Sequence, residues 1–364
     1  MLSETLKSIF NQFDHQTTFA SYEELASGHI NDTYLIKTNE KPFFVLQQIN
    51  SKVFKDVPAL VNNKMQISKH LREKLASIPE RQLNRRVLTF IPTKEGVNYL
   101  KDASNNYWNL MVFIEDSQTY EKVEHPEIAF EAGKLFGEFL ALTSDFDTSK
   151  LTEVIPKFHS MSFRYKQFDE ALKNASKERI KKTQKYIDFI QEVKEEMHTL
   201  ERFLDTGKIP LRVTHNDTKI SNALFDTDNK SLCVIDTDTV MPGIVHYDFG
   251  DAIRTICNTA AEDENNLELV TFNKTFYDAY TKGFIEKVGD SLSNIEIEYL
   301  PLGAKTMMFI MGLRFLTDYL NNDVYYKTAY PEHNLHRAKN QFKLIESFDQ
   351  QMANSLKKSD HSIC

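Results

Sequence analysis

The stretch Thr214-His215-Asn216-Asp217-Thr218-Lys219-Ile220-Ser221-Asn222 has the pattern of a catalytic loop, in which His-x-Asp is followed by four residues and an Asn. Short apolar runs flank this loop, at residues 211–213 before it and 223–225 after it. A polar turn then leads to a third apolar run, at residues 232–235. Apolar runs separated by a short polar turn predict a β-hairpin directly after the loop.

The predicted hairpin brings an amide and a carboxylate to the loop. A hairpin centred on Asn229 sets Asn222 opposite Asp236, close to Asp217. Mg²⁺ prefers oxygen ligands and is held by one or two carboxylates together with phosphates. Asn222 and Asp236 therefore suit a metal, and Asp217 is free to take the proton of an attacking hydroxyl, as in kinases. A polar loop whose Asp and Asn residues only cap turns is the structural alternative.

The same motif resembles a known superfamily. His215-x-Asp217 with Asn222, followed by Val234-Ile235-Asp236, is similar to the aminoglycoside phosphotransferase and choline kinase superfamily. Longer strings, which span nearly the whole chain, resemble the N-acetylhexosamine 1-kinases. These strings are VLQQIN (45–50), HNDTKI (215–220), IDTDTVMPG (235–243), DFGDAIR (248–254) and GLRFLTDYL (312–320).

The resemblance implies an α+β, protein-kinase-like fold of two lobes. Residues 1–116 would form a mostly β N-lobe and residues 117–364 a mostly helical C-lobe with the acceptor pocket. ATP and Mg²⁺ would bind between the lobes. The acceptor would be the anomeric hydroxyl of N-acetylglucosamine or N-acetylgalactosamine, and the product would be the sugar 1-phosphate.

The resemblance also implies roles for the loop residues. Asp217 would accept or orient the acceptor proton, and His215 would mainly hold the shape of the loop. Asn222 and Asp236 would hold Mg²⁺. Asp238 shares the strand parity of Asp236 and is a candidate for a second metal contact.

Nucleotide contacts are predicted in the N-terminal part of the chain. In the wider superfamily a strand lysine pairs with the phosphates, but Gln47 stands at this place and brings no charge. We therefore nominate Lys219 as the compensating cation, although a solvated lysine is the alternative. The other predicted nucleotide contacts are a phosphate-cradling turn with Ser27, Gly28, Asn31 and Thr33, and a hinge with Phe113 and Glu115. An ordinary hairpin is the alternative for the turn, and a buried strand for the hinge.

The resemblance also implies acceptor contacts at Phe249, Arg314 and Tyr325, beside Asp217. For Arg314, which lies in an apolar stretch, an internal ion pair is the alternative. Asp248-Phe249-Gly250 is a literal DFG, but it lies far beyond the hairpin and is not expected to bind metal. Asp251 is predicted to be a helix N-terminal carboxylate, and the resemblance implies that it braces the catalytic loop.

Composition narrows the class of protein. The 364 residues have a formal net charge of −8, which argues against nucleic acid or an anionic membrane as the main partner. Three widely spaced cysteines predict neither a disulfide framework nor a zinc site. The N-terminus does not have the pattern of a signal peptide, so we expect a cytoplasmic protein without an obligate protein partner.

Two rival functions remain open. An aminoglycoside or choline kinase would need carboxylates for a cationic acceptor, and Glu262, Asp263 and Glu264 could supply them. A nucleotide-binding pseudokinase is favoured by the missing strand lysine but opposed by the complete set of Asp217, Asn222 and Asp236.

Overall fold

The chain was analysed as a computed structural model, which describes residues 2–25 and 30–361. The helices are α1 (Leu2–Phe10), α2 (Val57–Lys74), α3 (Glu80–Arg86), α4 (Pro126–Leu142), α5 (Met161–Asn174), α6 (Lys177–Glu192), α7 (Lys194–Met197), α8 (Thr199–Asp205), α9 (Val245–Ile256), α10 (Lys274–Val288), α11 (Asn294–Glu298), α12 (Leu300–Leu320) and α13 (His333–His361). The strands are β1 (Phe19–Glu24), β2 (Asp32–Thr38), β3 (Phe44–Ile49), β4 (Phe90–Ile91), β5 (Leu100–Lys101), β6 (Tyr107–Val112), β7 (Ser117–Gln118), β8 (Arg212–Thr214), β9 (Ala223–Asp226), β10 (Ser231–Val234) and β11 (Met241–Gly243).

An antiparallel sheet forms the N-terminal part of the fold. Its strand order is β1-β2-β3-β6-β4, and β5 also pairs with β6. Successive side chains of a strand point to opposite faces. Phe44 and Leu46 of β3 therefore pack with Leu6 and Phe10 of α1, whereas Gln47 reaches the side chain of Lys64 on α2. The face of the sheet that carries Gln47 thus lies against α2.

Helix α2 begins where its sequence predicts. The Asp56 side chain accepts a hydrogen bond from the Ala59 N–H (3.0 Å), and Pro58 occupies the first turn, where its missing N–H costs no hydrogen bond. Leu60, Val61 and Ile67 are buried. The capped start fixes which residues of α2 face the sheet and the loops of the C-terminal part.

Helices dominate the C-terminal part, around a core that α12 enters along most of its length. Helices α4 and α10 approach through glycines. A Cβ at Gly283 would lie 2.1 Å from the Phe130 carbonyl oxygen, and one at Gly133 would lie 2.1 Å from that of Tyr280. The α+β class predicted from the sequence is therefore confirmed.

The predicted hairpin exists, but its register is shifted by one residue. Ala223 pairs with Val234, and the Asn222 carbonyl accepts from the Ile235 N–H (3.0 Å), so Asn222 faces Ile235 and not Asp236. Asp236 lies beyond the ladder in the left-handed conformation, with φ of 57°. The hairpin also gains β7 beside β9, whereas β8 pairs with β11.

In the ranges 2–25 and 30–361, none of the helices combines the length and the apolar character that crossing a bilayer requires.

Candidate active site

His215 stabilises the shape of the candidate catalytic loop. This residue is fully buried, and its ring lies near those of Phe136 and Phe139. Its Nε2 lies 2.9 Å from the Ile235 carbonyl oxygen, and the Asp217 N–H donates to its Nδ1 (3.3 Å). A neutral imidazole protonated at Nε2 satisfies both contacts. Because both nitrogens are engaged, the geometry supports the predicted role of His215 in shaping the loop.

Asn216 is a loop residue that the sequence analysis missed. It adopts a φ of 63°, a conformation that Asn tolerates better than most residues. Its Nδ2 donates to the carbonyl oxygens of Thr214 (3.2 Å) and Thr239 (3.0 Å) and to the Thr214 hydroxyl (2.9 Å). These bonds fix the turn that presents Asp217.

Asp248, and not Asp251, braces the loop. Its two carboxylate oxygens accept from the backbone N–H groups of His215 and Asn216, both at 2.7 Å. Burial raises the pKa of Asp248 to about 6, against these two hydrogen bonds. Asp251 lies well inside α9, where its carboxylate pairs with Arg254 (2.9 Å). The prediction of Asp251 as a helix N-terminal carboxylate is therefore wrong, because α9 begins at Val245.

Asp217 lies at the centre of a polar cluster. The Asn222 Nδ2 donates to its carbonyl oxygen (2.8 Å) and to its Oδ2 (2.9 Å), and the Lys219 Nζ lies 3.1 Å from the same Oδ2. Burial alone would lower the pKa of Lys219, but the charges of Asp217 and Asp236 outweigh it and raise this pKa. The loop thus joins a candidate base to an amide and a cation.

Asp236 offers a free carboxylate to this cluster. Among the described residues it accepts no side-chain or backbone hydrogen bond. Burial and the nearby charges of Asp238 and Asp217 raise its pKa. The charges of Lys219 and Lys64 offset this rise only in part, so a further cation would stabilise the Asp236 carboxylate.

The predicted metal ligands differ in what they can still bind. The Asn222 amide nitrogen is committed to Asp217, which leaves its Oδ1 available. Asp238 is already engaged, because one oxygen contacts Lys64 and the other contacts Asn31. No group of three or more His, Cys, Asp or Glu side chains poised for a metal occurs within residues 2–25 and 30–361. Asn222 and Asp236 therefore fit a Mg²⁺ ion whose remaining ligands come from phosphates and water.

The predicted phosphate-cradling turn is only partly described. Ser27 and Gly28 lie outside the described residues. Asn31 uses its Nδ2 for Asp238 and its Oδ1 for the Asn50 N–H (2.8 Å), so its side chain bridges to the C-terminal part. Thr33 lies directly opposite Gln47 across β2 and β3.

The predicted hinge residues Phe113 and Glu115 lie directly after β6. The Phe113 N–H donates to the Phe43 carbonyl (2.9 Å) and is not free for an adenine. The Glu115 side chain pairs with Lys41. Neither residue contacts a side chain of the catalytic loop.

The predicted acceptor contacts separate in the structure. Phe249 is fully buried, with the rings of Tyr277, Tyr280 and Phe284 around it, so the prediction that it contacts substrate is wrong. The one-dimensional pattern could not show which side of α9 enters the core. Tyr325 is 70% exposed, and its neighbour Tyr326 faces Arg314 instead.

Arg314 is not in an internal ion pair. Its guanidinium lies over the rings of Phe158 (5.4 Å) and Tyr326 (5.6 Å), and its NH1 is 3.5 Å from the Met311 sulfur. The side chain of Arg164 is near it, and burial together with the charge of Arg314 lowers the pKa of Arg164 to about 10. Neither arginine has a carboxylate within ion-pair distance in the described part of the chain.

His159 completes this arginine pocket, which we define as His159, Arg164, Arg314 and Tyr326. Burial and the charges of Arg314 and Arg164 lower the pKa of His159 well below its usual value, while the backbone of Asn216 acts in the opposite direction. The pocket therefore adjoins the residue that precedes Asp217. The hydroxyl of Tyr326 and both ring nitrogens of His159 make no hydrogen bond with the described residues. No sequence motif indicated His159, Arg164 or Tyr326.

Lys64 is another polar residue that the sequence analysis missed. It is buried on α2 and forms an ion pair with Asp238. Lys64 lies four residues after Leu60 and three before Ile67, so it falls within the apolar stripe of the helix. This spacing was a usable signal that Lys64 is buried.

Comparisons with known proteins agree with this geometry. The sequence model described as "Phosphotransferase enzyme family" matches residues 21–280. An aminoglycoside phosphotransferase from Alicyclobacillus acidocaldarius is similar in structure, with a TM-score of 0.62 and 12% identity over 95% of this chain and 96% of that one. A microcompartment-associated aminopropanol kinase has a TM-score of 0.60 and 14% identity over 96% of this chain and 98% of that one. Choline kinase from Cryptosporidium parvum has a TM-score of 0.57 and 14% identity over 97% of this chain and 96% of that one.

Proposed function

The chain belongs to the phosphotransferase enzyme family, and from that premise we propose that it transfers the γ-phosphoryl group of ATP to the anomeric hydroxyl of an N-acetylhexosamine. The acceptors would be N-acetylglucosamine and N-acetylgalactosamine. The new bond joins the anomeric oxygen to the γ-phosphorus while the bond to the β-phosphate oxygen breaks, so the products are ADP and the sugar 1-phosphate. The proton of the hydroxyl goes to Asp217.

The chain supplies positioning and charge for this step. Asp217 is oriented by the Asn222 amide (2.9 Å), and its loop is fixed by Asp248. Lys219 stands 3.1 Å from Asp217, where it can neutralise charge on the transferred group. Mg²⁺, held by Asn222 and Asp236, would neutralise the β- and γ-phosphate oxygens.

The observation that carries the acceptor class is the charge of the arginine pocket. Arg164 and Arg314 have no acidic partner in the described residues, and His159 is kept neutral. The nearby acids Asp251 and Glu262 are both paired with Arg254 (2.9 and 2.8 Å). A choline or aminoglycoside cation would find repulsion here, whereas a hydroxyl- and acetamido-bearing sugar offers oxygen acceptors to the guanidinium groups. The strings shared with N-acetylhexosamine 1-kinases support the same class.

A second acceptor class follows from the same pocket. Two guanidinium groups without an acidic partner among the described residues also suit an anionic group, because Arg recognises carboxylates and phosphates through bidentate hydrogen bonds. A hexosamine 6-phosphate is the simplest such acceptor, and its turnover against the neutral sugar separates the two classes.

The test is ADP release from Mg-ATP with a panel of acceptors. The panel holds N-acetylglucosamine, N-acetylgalactosamine, N-acetylglucosamine 6-phosphate, galactose, choline and kanamycin. We expect turnover with the two N-acetyl sugars and an acid-labile, alkali-stable sugar phosphate. Asp217→Asn should lower kcat by about 10²–10⁴-fold, the usual contribution of a general base. Asp188→Asn, an exposed carboxylate on α6, is the control.

The outcomes separate the rival functions. Turnover with choline or kanamycin alone would refute the sugar assignment and retain the kinase. Faster turnover with the 6-phosphate would favour the anionic class. ATP binding without turnover of any acceptor would favour a pseudokinase.

A further inference from the structure

The cluster around Asp217 is short of positive charge. Asp217, Asp236 and Asp238 bring three carboxylates together, and Lys219 is the cation that the sequence analysis placed beside them. The phosphates of a bound nucleotide add further negative charge. Kinases of this fold neutralise it with a lysine on the third strand, but Gln47 is uncharged.

The ammonium group of Lys64 lies where this charge is needed. The side chain is 2% exposed, and its Nζ contacts the Asp238 carboxylate and lies 3.4 Å from the Gln47 Oε1. The side chain of Lys64 on α2 therefore meets the end of the Gln47 side chain on β3. A lysine at position 47 would be longer than Gln47 by about one bond, so its Nζ would fall close to the place that the Lys64 Nζ now occupies.

The position of Lys64 is fixed by its neighbour on α2. The Asn63 Nδ2 donates to the carbonyl oxygens of Thr152 (2.8 Å) and Val240 (2.9 Å), and its Oδ1 accepts from the Thr152 N–H (3.0 Å). These bonds hold α2 against the turn that contains Asp238. Lys64 is therefore part of a built contact between helix and loop.

A second observation indicates a ligand beside Gln47. Asn109 lies directly opposite Gln47 across β3 and β6, so both side chains are on the face that meets Lys64. Asn109 is 1% exposed, yet its Nδ2 and Oδ1 make no hydrogen bond with any described residue. Buried amides are normally partnered. This unpartnered side chain calls for a polar ligand or water next to the Lys64 ammonium group.

We infer that Lys64 is the cation that binds the α- and β-phosphates of the nucleotide in this protein, and that it takes over from α2 the task of the missing strand lysine. An ammonium group has three N–H donors. Asp238 and Gln47 accept two of them, which leaves the third for a phosphate oxygen. Asp238 thereby serves as the counter-ion of Lys64 and not as a second metal ligand. The inference rests on the kinase function proposed above but not on the identity of the acceptor.

Nucleotide binding without any acceptor tests the inference independently of the sugar assignment. Binding of Mg-ATP and of adenosine is measured by calorimetry or by competition with a fluorescent nucleotide. We expect Lys64→Gln to weaken Mg-ATP binding by about 10–100-fold, as for loss of a charge-assisted hydrogen bond, and to change adenosine binding less than about twofold. Lys69→Gln is the control, because Lys69 lies on the same helix with a side chain 78% exposed.

The rescue variant distinguishes phosphate binding from a structural role. Gln47→Lys in the Lys64→Gln background returns the ammonium group from the strand, and we expect it to restore most of the Mg-ATP affinity. If Lys64→Gln does not fold, this double variant and Lys64→Arg decide the matter, since both should bind Mg-ATP far more tightly than adenosine. Equal losses for Mg-ATP and adenosine, or no loss in Lys64→Gln, would overturn the inference. A folded double variant that binds Mg-ATP no better than adenosine would also overturn it.

Discussion

Replacing Arg314 with Met should impair acceptor use while leaving the fold stable. This arginine is partly buried without an acidic partner in the described part of the chain, and its charge adds to burial in lowering the pKa of Arg164 and of His159. A residue with these features adds little to stability, because its desolvated charge and the repulsion of its neighbour oppose its packing. Sites that are kept for binding often have this unfavourable charge arrangement.

The magnitude follows from the contacts of the guanidinium group. Arg314→Met removes the contacts of this group with two aromatic rings, at 5.4 and 5.6 Å, each worth about 0.5–1 kcal/mol. Removal of a charge that repels Arg164 offsets this loss. We therefore expect the free energy of unfolding to change by no more than about 1 kcal/mol. One charge-assisted hydrogen bond to the acceptor is worth about 1.5–3 kcal/mol, so kcat/KM for the acceptor should fall by about 10–150-fold.

Arg254 is the matched control. It also lies partly buried on a helix, but it pairs with both Asp251 (2.9 Å) and Glu262 (2.8 Å). Arg254→Met leaves two acids uncompensated and should cost about 3–5 kcal/mol of stability. Urea unfolding followed by circular dichroism gives both free energies, and steady-state ADP release at varied acceptor concentration gives kcat and KM.

The refuting result is a reversal of this contrast. If Arg314→Met lowers the unfolding free energy by several kcal/mol and leaves the acceptor KM unchanged, Arg314 is a structural residue. The charge argument for the acceptor class would then fail, although the kinase assignment would stand on the catalytic loop.

Three further predictions follow from the loop, the core and the thiols. Asp248→Asn should lower kcat by about tenfold or more, because an amide offers one acceptor oxygen to two backbone N–H groups of the catalytic loop. Since burial raises the pKa of Asp248 to about 6, proton uptake should also lower the kcat of the wild type as the pH falls through about 6. An Asp248→Asn variant with the kcat of the wild type would contradict this role. Gly283→Ala should cost about 1–3 kcal/mol in urea unfolding, because its Cβ would lie 2.1 Å from the Phe130 carbonyl; an unchanged midpoint would show that α4 and α10 can separate. Cys233 and Cys257 are buried, and burial raises the pKa of both thiols. In a variant that lacks the C-terminal cysteine, a disulfide reagent should therefore react with them only after unfolding. Rapid labelling of the native protein would refute their burial.

The sequence predicted the elements that depend on short-range chemistry. The spacing of Asp217 and Asn222 is a property of one loop, and Asn222 does orient Asp217 in the structure. The start of α2 depends on Asp56 and Pro58, which likewise act within one helical turn. The hairpin was predicted as well, but its register was not, because the turn closes with Phe225 opposite Ser231, and a bulge between Ser231 and Cys233 then shifts the pairing again.

The candidate site was predicted least well where its residues come from different parts of the chain. Phe249 was expected at the substrate but lies in the core, and Asp251 was expected to brace a loop that Asp248 braces. The error at Asp251 arises because a helix start misplaced by a few residues changes which side chains face the loop. The periodicity of α9 alone did not locate that start.

What the sequence by itself determined is therefore the α+β class and a loop whose acid and amide residues suit phosphoryl transfer. Tertiary structure alone decided which charges meet. Asn31 reaches Asp238 across 207 residues of sequence and Lys64 reaches it across 174, and the arginine pocket joins side chains from separate segments. The physical reason is that an ion pair or a shared pocket depends on distances of a few ångströms, which only the packing of α2, the sheet and the C-terminal helices sets.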